Sequence, residues 1–269
     1  MALLEFITRT NRQLNDLFFP QKQVRYVHRF RDLASQLSGD AALVLHLGSG
    51  PKDLSPFPGG NGKRPGLINL DLGLRDLKMN PGAWKVCANA EKLPLPENQF
   101  DAICSEHVFE HFAAPRQVLA ECFRILKPGG YLVVSGPNGR SYIALAARLT
   151  SMGFHNKVRR LNRGGSQESC DGFHTFYRFS TPRTMRRLAR QSGFEVAAVE
   201  RFVGEPCYTT FLPVLHLLFI AYHLALEKLR PWLGFHVTAV VVMRKPLHRH
   251  AADASFAPAG HGRLRASNL

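Results

Sequence analysis

The sequence predicts an α/β fold, a mostly parallel sheet with helices on both faces. Three observations predict it. Short apolar runs of strand length alternate with stretches of helical periodicity, in the order strand, loop or helix, strand, helix, strand. The first run, Ala41 to Leu47, ends in the tight turn Gly48-Ser49-Gly50. An amphipathic stretch stopped by Lys127-Pro128-Gly129-Gly130 separates two further apolar runs.

Taken in order, Val24, Val27, Phe30, Leu33, Ala34 and Leu37 recur at three- and four-residue intervals, and Gly39 closes the run. The opposite side carries Lys22, Arg25, Arg29 and Arg31, either a solvated face or an anion-binding one. Ala41 to Leu47 reads as a buried parallel strand, and Pro51 to Gly66, rich in Pro and Gly, as loop. Leu67 to Leu72 and Phe100 to Ser105 read as strands. Pro115 to Leu126 reads as a helix with Val118, Leu119, Cys122, Phe123 and Leu126 on one side, and Tyr131 to Ser135 as a strand. Ser141 to Phe173 breaks the pattern and reads as a mobile insertion. Thr181 caps a helix with Pro182 at its first position and Gly193 as its stop. Phe194 to Glu200 is then a strand and His236 to Met243 its partner, with the apolar segment Phe211 to Leu226 between them. From Pro246 onward the composition predicts a disordered tail. Ligands of such sheets sit beyond the carboxyl ends of the strands, so chemistry is expected after Leu47, Leu70, Ser105 and Ser135.

Composition narrows the function classes. A chain of 269 residues with 45% hydrophobic residues supports a full core and excludes a disordered chain. The net charge of +15 speaks of anionic partners, with lipid, nucleic acid and acidic small molecules all open. Cys87, Cys104, Cys122, Cys170 and Cys207 form no C-x-x-C pair, which predicts reduced thiols of a cytoplasmic protein. The N-terminus lacks the long apolar run of a secretory signal. The apolar segment near Phe211, interrupted by Pro213, is short for a spanning helix, which needs about 20 residues.

Two motifs suggest a nucleoside site. In VLHLGSGPKDL, from Val44, a glycine turn after a strand lets the backbone approach a ligand. It lacks the third glycine of the dinucleotide fingerprint, so it suits a cofactor without a phosphate. In INLDL, Asp71 ends a strand about 20 residues later, where a carboxylate accepts both ribose hydroxyls; a helix cap or plain loop aspartate is the other reading.

Two longer stretches follow, CANAEKLPLPENQFDAICSEHVFEHF from Cys87 and AAPRQVLAECFRILKPGGYLVVSGPNG from Ala113. With them the chain resembles the class I S-adenosylmethionine-dependent methyltransferases, in the methyltransferase type 11 subgroup that includes ubiquinone-biosynthesis-type enzymes. The resemblance runs from about Val44 to Asn138 and resumes from Phe179 to Val196. It implies a Rossmann-like fold with an antiparallel last strand and a hydrophobic helical insertion before it. It implies the cofactor S-adenosyl-L-methionine, with Gly48, Ser49 and Gly50 against its methionine part. Asp71 would hold the ribose hydroxyls and Leu72 would pack on adenine. Asn89 and Ala90 would meet the adenine edge with Glu91 nearby, and Ser105 would sit near the cofactor's amino group. Two positions depart from the family's pattern. His46 stands where an acidic residue is common, which removes a negative charge near the ammonium and sulfonium unless Glu106 compensates. Asn89 stands where an aspartate is common, and its amide oxygen still accepts a hydrogen bond.

Methyl transfer to oxygen or nitrogen calls for a general base, and His107, His111 and His174 are the candidates. His111 with Glu110 also reads as a buttress for the helix start, and His174 as ordinary packing. Some ubiquinone-type O-methyltransferases bind a metal through E-x-x-E-H; here His107 replaces the first glutamate, and no metal is expected. The domain organisation read from the chain is a basic amphipathic helix over 1–39, a methyltransferase domain over 40–245 with insertions at about 141–173 and 205–235, and a tail over 246–269. The segment 207–232, with Trp232 and the cations Lys228 and Arg230, reads as an interfacial helix at a membrane surface, or as a lid or dimer contact. The expected activity is methyl transfer to a small-molecule or lipid-like acceptor, by a cytoplasmic protein that associates with membrane if that helix is interfacial. An RNA or protein methyltransferase and a non-catalytic cofactor-binding or scaffold protein stay open as alternatives. No RNA-binding module is evident, which disfavours nucleic acid as a partner.

Overall fold

Runs of strand length set the frame, deeply buried at the centre of the sheet and more exposed toward its edges. They form β1 (Leu43–Leu47), β2 (Gly66–Asp71), β3 (Trp84–Cys87), β4 (Phe100–Glu106), β5 (Leu126–Pro137), β6 (Glu195–Phe202) and β7 (Thr238–Arg244). The computed structural model describes residues 2–20, 27, 29–34, 36, 43–54, 66–150, 153–154, 157–158, 161, 175–203, 206, 209–233 and 237–247. The strands make one seven-stranded sheet in the order β3-β2-β1-β4-β5-β7-β6. β1 pairs in parallel with β2 and β4, β2 with β3 and β4 with β5, while β7 runs antiparallel to β5 and β6. The expected Rossmann-like, mostly parallel sheet is the observed architecture.

Side-chain alternation divides the core between the two faces of the sheet. One face carries Leu45, Leu47, Ile103, Leu132, Val134 and Val241. It is covered by α3 (Pro115–Ile125) and α5 (Pro182–Gln191) through Val118, Leu119, Cys122, Met185 and Leu188. The other face carries Val44, Ala102, Cys104, Val133, Val240 and Val242, covered by Phe30, Leu33 and Ala34. Both ends of α5 match the sequence reading. Thr181 Oγ1 accepts the Thr184 N–H at 3.1 Å to cap α5, and Gly193 turns the chain out of it at φ +87°.

Several elements differ from the sequence reading. The helix expected over 1–39 is divided. α1 (Ala2–Phe18) ends just before Pro20, and helical residues resume by Val27. Proline lacks the N–H of a helix interior and disfavours helical backbone in the residue before it. β3 was missed because it is an edge strand with three exposed residues and no apolar alternation to detect. α2 (Leu74–Met79), which leads into it, was missed with it. β5 begins at Leu126, so Lys127-Pro128-Gly129-Gly130 continues into a strand. Pro213 does not interrupt the apolar segment; it opens α6 (Pro213–Leu233), where its missing N–H is no loss. Within the insertion, Ser141 caps α4 (Tyr142–Leu149) by accepting the Ala144 N–H.

Candidate active site

The parallel strands β1, β2, β4 and β5 end on one edge of the sheet, and the expected site residues gather there. At the end of β1 the chain turns through Gly48 (φ +72°) and Gly50 (φ +53°). The N–H groups of Gly48 and Ser49 both donate to the Leu70 carbonyl, at 2.7 and 3.0 Å. The bend is thereby tied to the end of β2. A Cβ on Gly48 would lie 2.4 Å from Val108 Cγ2, so only glycine fits. At Gly50 no described heavy atom lies within 4 Å of that position, and the bend opens onto free space.

Asp71 closes onto the same bend. Its Oδ2 accepts the Gly50 N–H at 2.7 Å and its Oδ1 accepts the Gly73 N–H at 2.8 Å. Each carboxylate oxygen keeps a lone pair for a further donor. The next residue, Leu72, is 71% exposed, an uncovered apolar wall at the strand end. The Ala88 N–H donates to the Asp71 carbonyl at 3.0 Å, which brings the loop after β3 alongside. There Asn89 is exposed and Ala90 buried. Asn89 Oδ1 accepts the Glu91 N–H at 2.9 Å in a local turn, leaving its amide N–H₂ and one oxygen lone pair outward.

His46 is buried, with Nδ1 3.3 Å from Asn69 Oδ1. Desolvation pushes its pKa down to about 4 against the opposing hydrogen bond from Asn69, so near pH 7 the ring is neutral. An uncharged ring there adds no repulsion toward a cation in the cleft. Ser49 and Ser105 are buried, and among the described residues neither hydroxyl has a hydrogen-bond partner. Burial without a partner is costly, and polar atoms left so at a strand edge mark where a ligand donor or acceptor fits.

β4 leads from Ser105 through Glu106 to His107, whose backbone is left-handed at φ +55°. A non-glycine residue in that region stores about 1 kcal/mol of strain and clusters at functional sites. The His107 N–H still donates to the Ser135 carbonyl at 3.0 Å, so β5 holds the turn. Its Nδ1 faces Glu110 Oε1 at 3.5 Å. The ring keeps 42% of its surface exposed, and desolvation of the remainder disfavours the cation. The hydrogen bond and charge of Glu110, with the charge of Glu106, outweigh that and hold its pKa above the ordinary histidine value. Glu110 itself is buried, and its Oε2 has no hydrogen-bond partner among the described residues. Its carbonyl accepts the N–H groups of Phe176 and Tyr177, at 2.8 and 3.2 Å, which brings the chain after the insertion onto the site. His111 is half-buried in the short 3₁₀ turn Phe109–His111. His174 lies outside the described residues.

Sequence reasoning gave Glu110 no part of its own beside His107, and it missed Asn80. Asn80 is buried, and its Nδ2 donates to the carbonyls of Gly50 and Lys52 at 3.0 and 2.7 Å, fixing the exit of the glycine bend. That contact joins residues far apart in sequence, and no local pattern announces it. The three-residue spacing from His107 to Glu110 was the available signal for the pair. Among the described residues no three His, Cys, Asp or Glu side chains converge as a metal set. Burial pushes the Cys104 thiol up to about 12, which leaves it inert.

Comparison with known proteins places this edge in context. Residues 68–134 match the family model described as a methyltransferase domain. The chain is 33% identical over 119 residues to a ubiquinone biosynthesis O-methyltransferase of Roseobacter denitrificans, covering 44% of this chain and 43% of that protein. It is 31% identical over 178 residues to a ubiquinone/menaquinone biosynthesis C-methyltransferase of Edwardsiella ictaluri, covering 60% of this chain and 69% of that one. The match thus spans less than half of the first relative and just over two thirds of the second. In fold the chain is similar to a geranyl diphosphate methyltransferase solved with geranyl diphosphate and sinefungin, at TM-score 0.54 and 12% identity over 82% of this chain and 78% of that one. On these matches the chain belongs to the S-adenosylmethionine-dependent methyltransferases.

Proposed function

We propose that this protein binds S-adenosylmethionine at the Gly48–Gly50 bend and transfers its methyl group to a small lipid-like acceptor, with His107 as the general base. The observation that carries the reading is the Asp71 carboxylate, held against the bend by Gly50 and Gly73 with lone pairs to spare. The residues present fit a nucleoside with a polar amino-acid tail and no phosphate. Asp71 holds the ribose hydroxyls, and Leu72, Asn89, Ala90 and Glu91 border the adenine. The unpartnered hydroxyls of Ser49 and Ser105 meet the tail, for which Gly48 and Gly50 leave room. His46 sits behind the bend as a neutral packing residue rather than a ligand for the tail.

When bound, the cofactor supplies an activated methyl group on a sulfonium. The chain supplies position, desolvation and a proton acceptor. In this reading Nδ1 of His107 is turned to Glu110 and Nε2 acts in the cleft. There it takes the proton from an acceptor hydroxyl or amine, and Glu110 stabilises the resulting imidazolium. His111 supports the turn that carries the pair. The acceptor class is supported by relatives named for ubiquinone and menaquinone biosynthesis. Contact with a membrane surface through the segment 207–232 is proposed beside it and does not depend on the chemistry.

The test is transfer of labelled methyl from S-adenosylmethionine into fractionated cell extract. Label in the apolar fraction, lost on His107→Asn, is the expected result. Label confined to RNA or protein would favour the competing methyltransferase reading, and none in any fraction would sink the enzyme.

A further inference from the structure

The layer formed by α1 and α6 buries an unusual share of polar side chains. Thr8, Asn11 and Asn15 are the buried residues of α1, and His216 and His223 are buried on α6 together with Ile220 and Leu226. Hydrogen bonds lock the polar ones in place. Asn11 Nδ2 donates to the Thr210 carbonyl at 2.7 Å and Asn15 Nδ2 to the Pro206 carbonyl at 3.2 Å. His216 lies between the Asn11 carbonyl and the Thr209 hydroxyl, 3.0 Å from each.

The outward positions of α6 are apolar. Val214 (75% exposed), Leu217 (51%) and Leu218 (62%) stand in solvent with Leu215 and Tyr222. No charged residue occurs from Pro213 to Leu226. The outer side of α1 is mixed, with Leu3, Phe6, Leu17 and Phe18 exposed among Glu5, Arg9, Arg12 and Asp16. A helix facing water turns leucine inward and polar residues outward. An exposed apolar face like that of α6 is the one that an apolar medium outside selects.

Neither helix crosses a bilayer, because no described helix is long and apolar enough to do so. A face of this kind lies in the plane of the interface. The net charge of +15, with Lys228 exposed toward the end of α6, complements an anionic surface; α1 itself is balanced, Glu5 and Asp16 against Arg9 and Arg12. The inner side of α6 packs on Tyr142: the Phe219 ring is 4.6 Å from it, and His223 Nε2 is 3.2 Å from its hydroxyl. Tyr142 opens α4 just after β5 ends at Pro137, so the layer stands beside the sheet edge that carries His107.

We infer that the outer face of α6 docks the protein on an anionic lipid surface, next to the edge where the acceptor is methylated. The second clause rests on the methyltransferase reading; the docking does not.

Flotation of the full chain with phosphatidylcholine vesicles, with and without phosphatidylglycerol, tests it. The wild type should float with the anionic vesicles, more strongly at low salt. Leu217→Asp with Leu218→Asp should weaken partition at least about tenfold. Leu247→Asp, an exposed apolar position beside Gly129 at the opposite sheet edge, should leave it unchanged. Retained S-adenosylhomocysteine affinity in each variant reports that the fold is intact; if none binds the nucleoside, unchanged circular dichroism reports it instead. Equal flotation of the double variant, or none by the wild type, overturns the proposal. So does a wild-type dimer in light scattering that the double variant turns into a monomer, since the face is then a protein interface. Flotation as expected without nucleoside binding would refute the methyltransferase reading and leave the docking standing.

Discussion

Alanine at the two glycines of the bend should act differently, mainly on stability at Gly48 and mainly on binding at Gly50. At Gly48 a Cβ would sit 2.4 Å from Val108 Cγ2 and 2.5 Å from Cγ1, at φ +72°. Left-handed backbone costs a non-glycine residue about 1–2 kcal/mol, and overpacking adds about 1–3 kcal/mol. Gly48→Ala should therefore destabilise by about 3 kcal/mol. At Gly50 the φ of +53° carries a similar strain, but no described atom stands in the way. Lost freedom of the unfolded chain offsets about 0.4–1 kcal/mol of that strain. Gly50→Ala should thus destabilise by only about 1 kcal/mol. Its methyl would instead enter the space assigned to the cofactor, and affinity for S-adenosylhomocysteine should fall at least about tenfold. Urea denaturation of both variants, with unchanged slope, measures the first effect and calorimetry the second. Adding Val108→Ala to Gly48→Ala removes the two shortest contacts and should return about 1–2 kcal/mol in a double-mutant cycle. Equal destabilisation by the two alanines, or full nucleoside affinity in Gly50→Ala, would refute the reasoning.

Four further outcomes follow from the structure. His107→Asn should slow transfer by about a hundredfold or more with cofactor affinity nearly unchanged. Because Glu110 holds the His107 pKa up, the rate should rise with pH through that raised value, and Glu110→Gln should move the rise to lower pH; a profile indifferent to Gln would remove Glu110 as partner. His46 titrates at about 4 when folded against 6.5 when unfolded, so the unfolded chain binds the extra proton between those values. Stability is complete above pH 6.5 and falls as pH drops toward 4. At about 1.4 kcal/mol per pH unit the loss is about 3 kcal/mol, and His46→Gln, which keeps a partner for Asn69, should flatten it in denaturation curves taken across that window. Thr181→Ala removes the acceptor of the Thr184 N–H and should cost about 1 kcal/mol in thermal or chemical unfolding.

The parts legible in the sequence are those whose causes are local. The aliphatic run before Gly48, the strand-end aspartate and the Thr181-Pro182 start with its Gly193 stop each follow from backbone requirements of neighbouring residues. The α3 stripe Val118, Leu119 and Cys122 follows from helical periodicity. β3 was not legible because Trp84 and Lys85 face solvent on an edge strand, so burial wrote no pattern into it. A helix over 1–39 was expected, but which face of α1 is buried was not legible, because it buries Thr8, Asn11 and Asn15, the reverse of what the periodicity rule seeks. At the site, Asp71 and the glycines were visible as types at a spacing. The neutral state of His46 depends on Asn69, and the poise of His107 on Glu110, and neither follows from residue type alone.

Calorimetric titration of the folded protein with S-adenosylmethionine and its demethylated product tests the central claim most directly. Saturable binding of both at one site is predicted, weakened at least about thirtyfold by Asp71→Ala with the fold intact. No heat of binding from folded protein, or the same affinity without the Asp71 carboxylate, would contradict it.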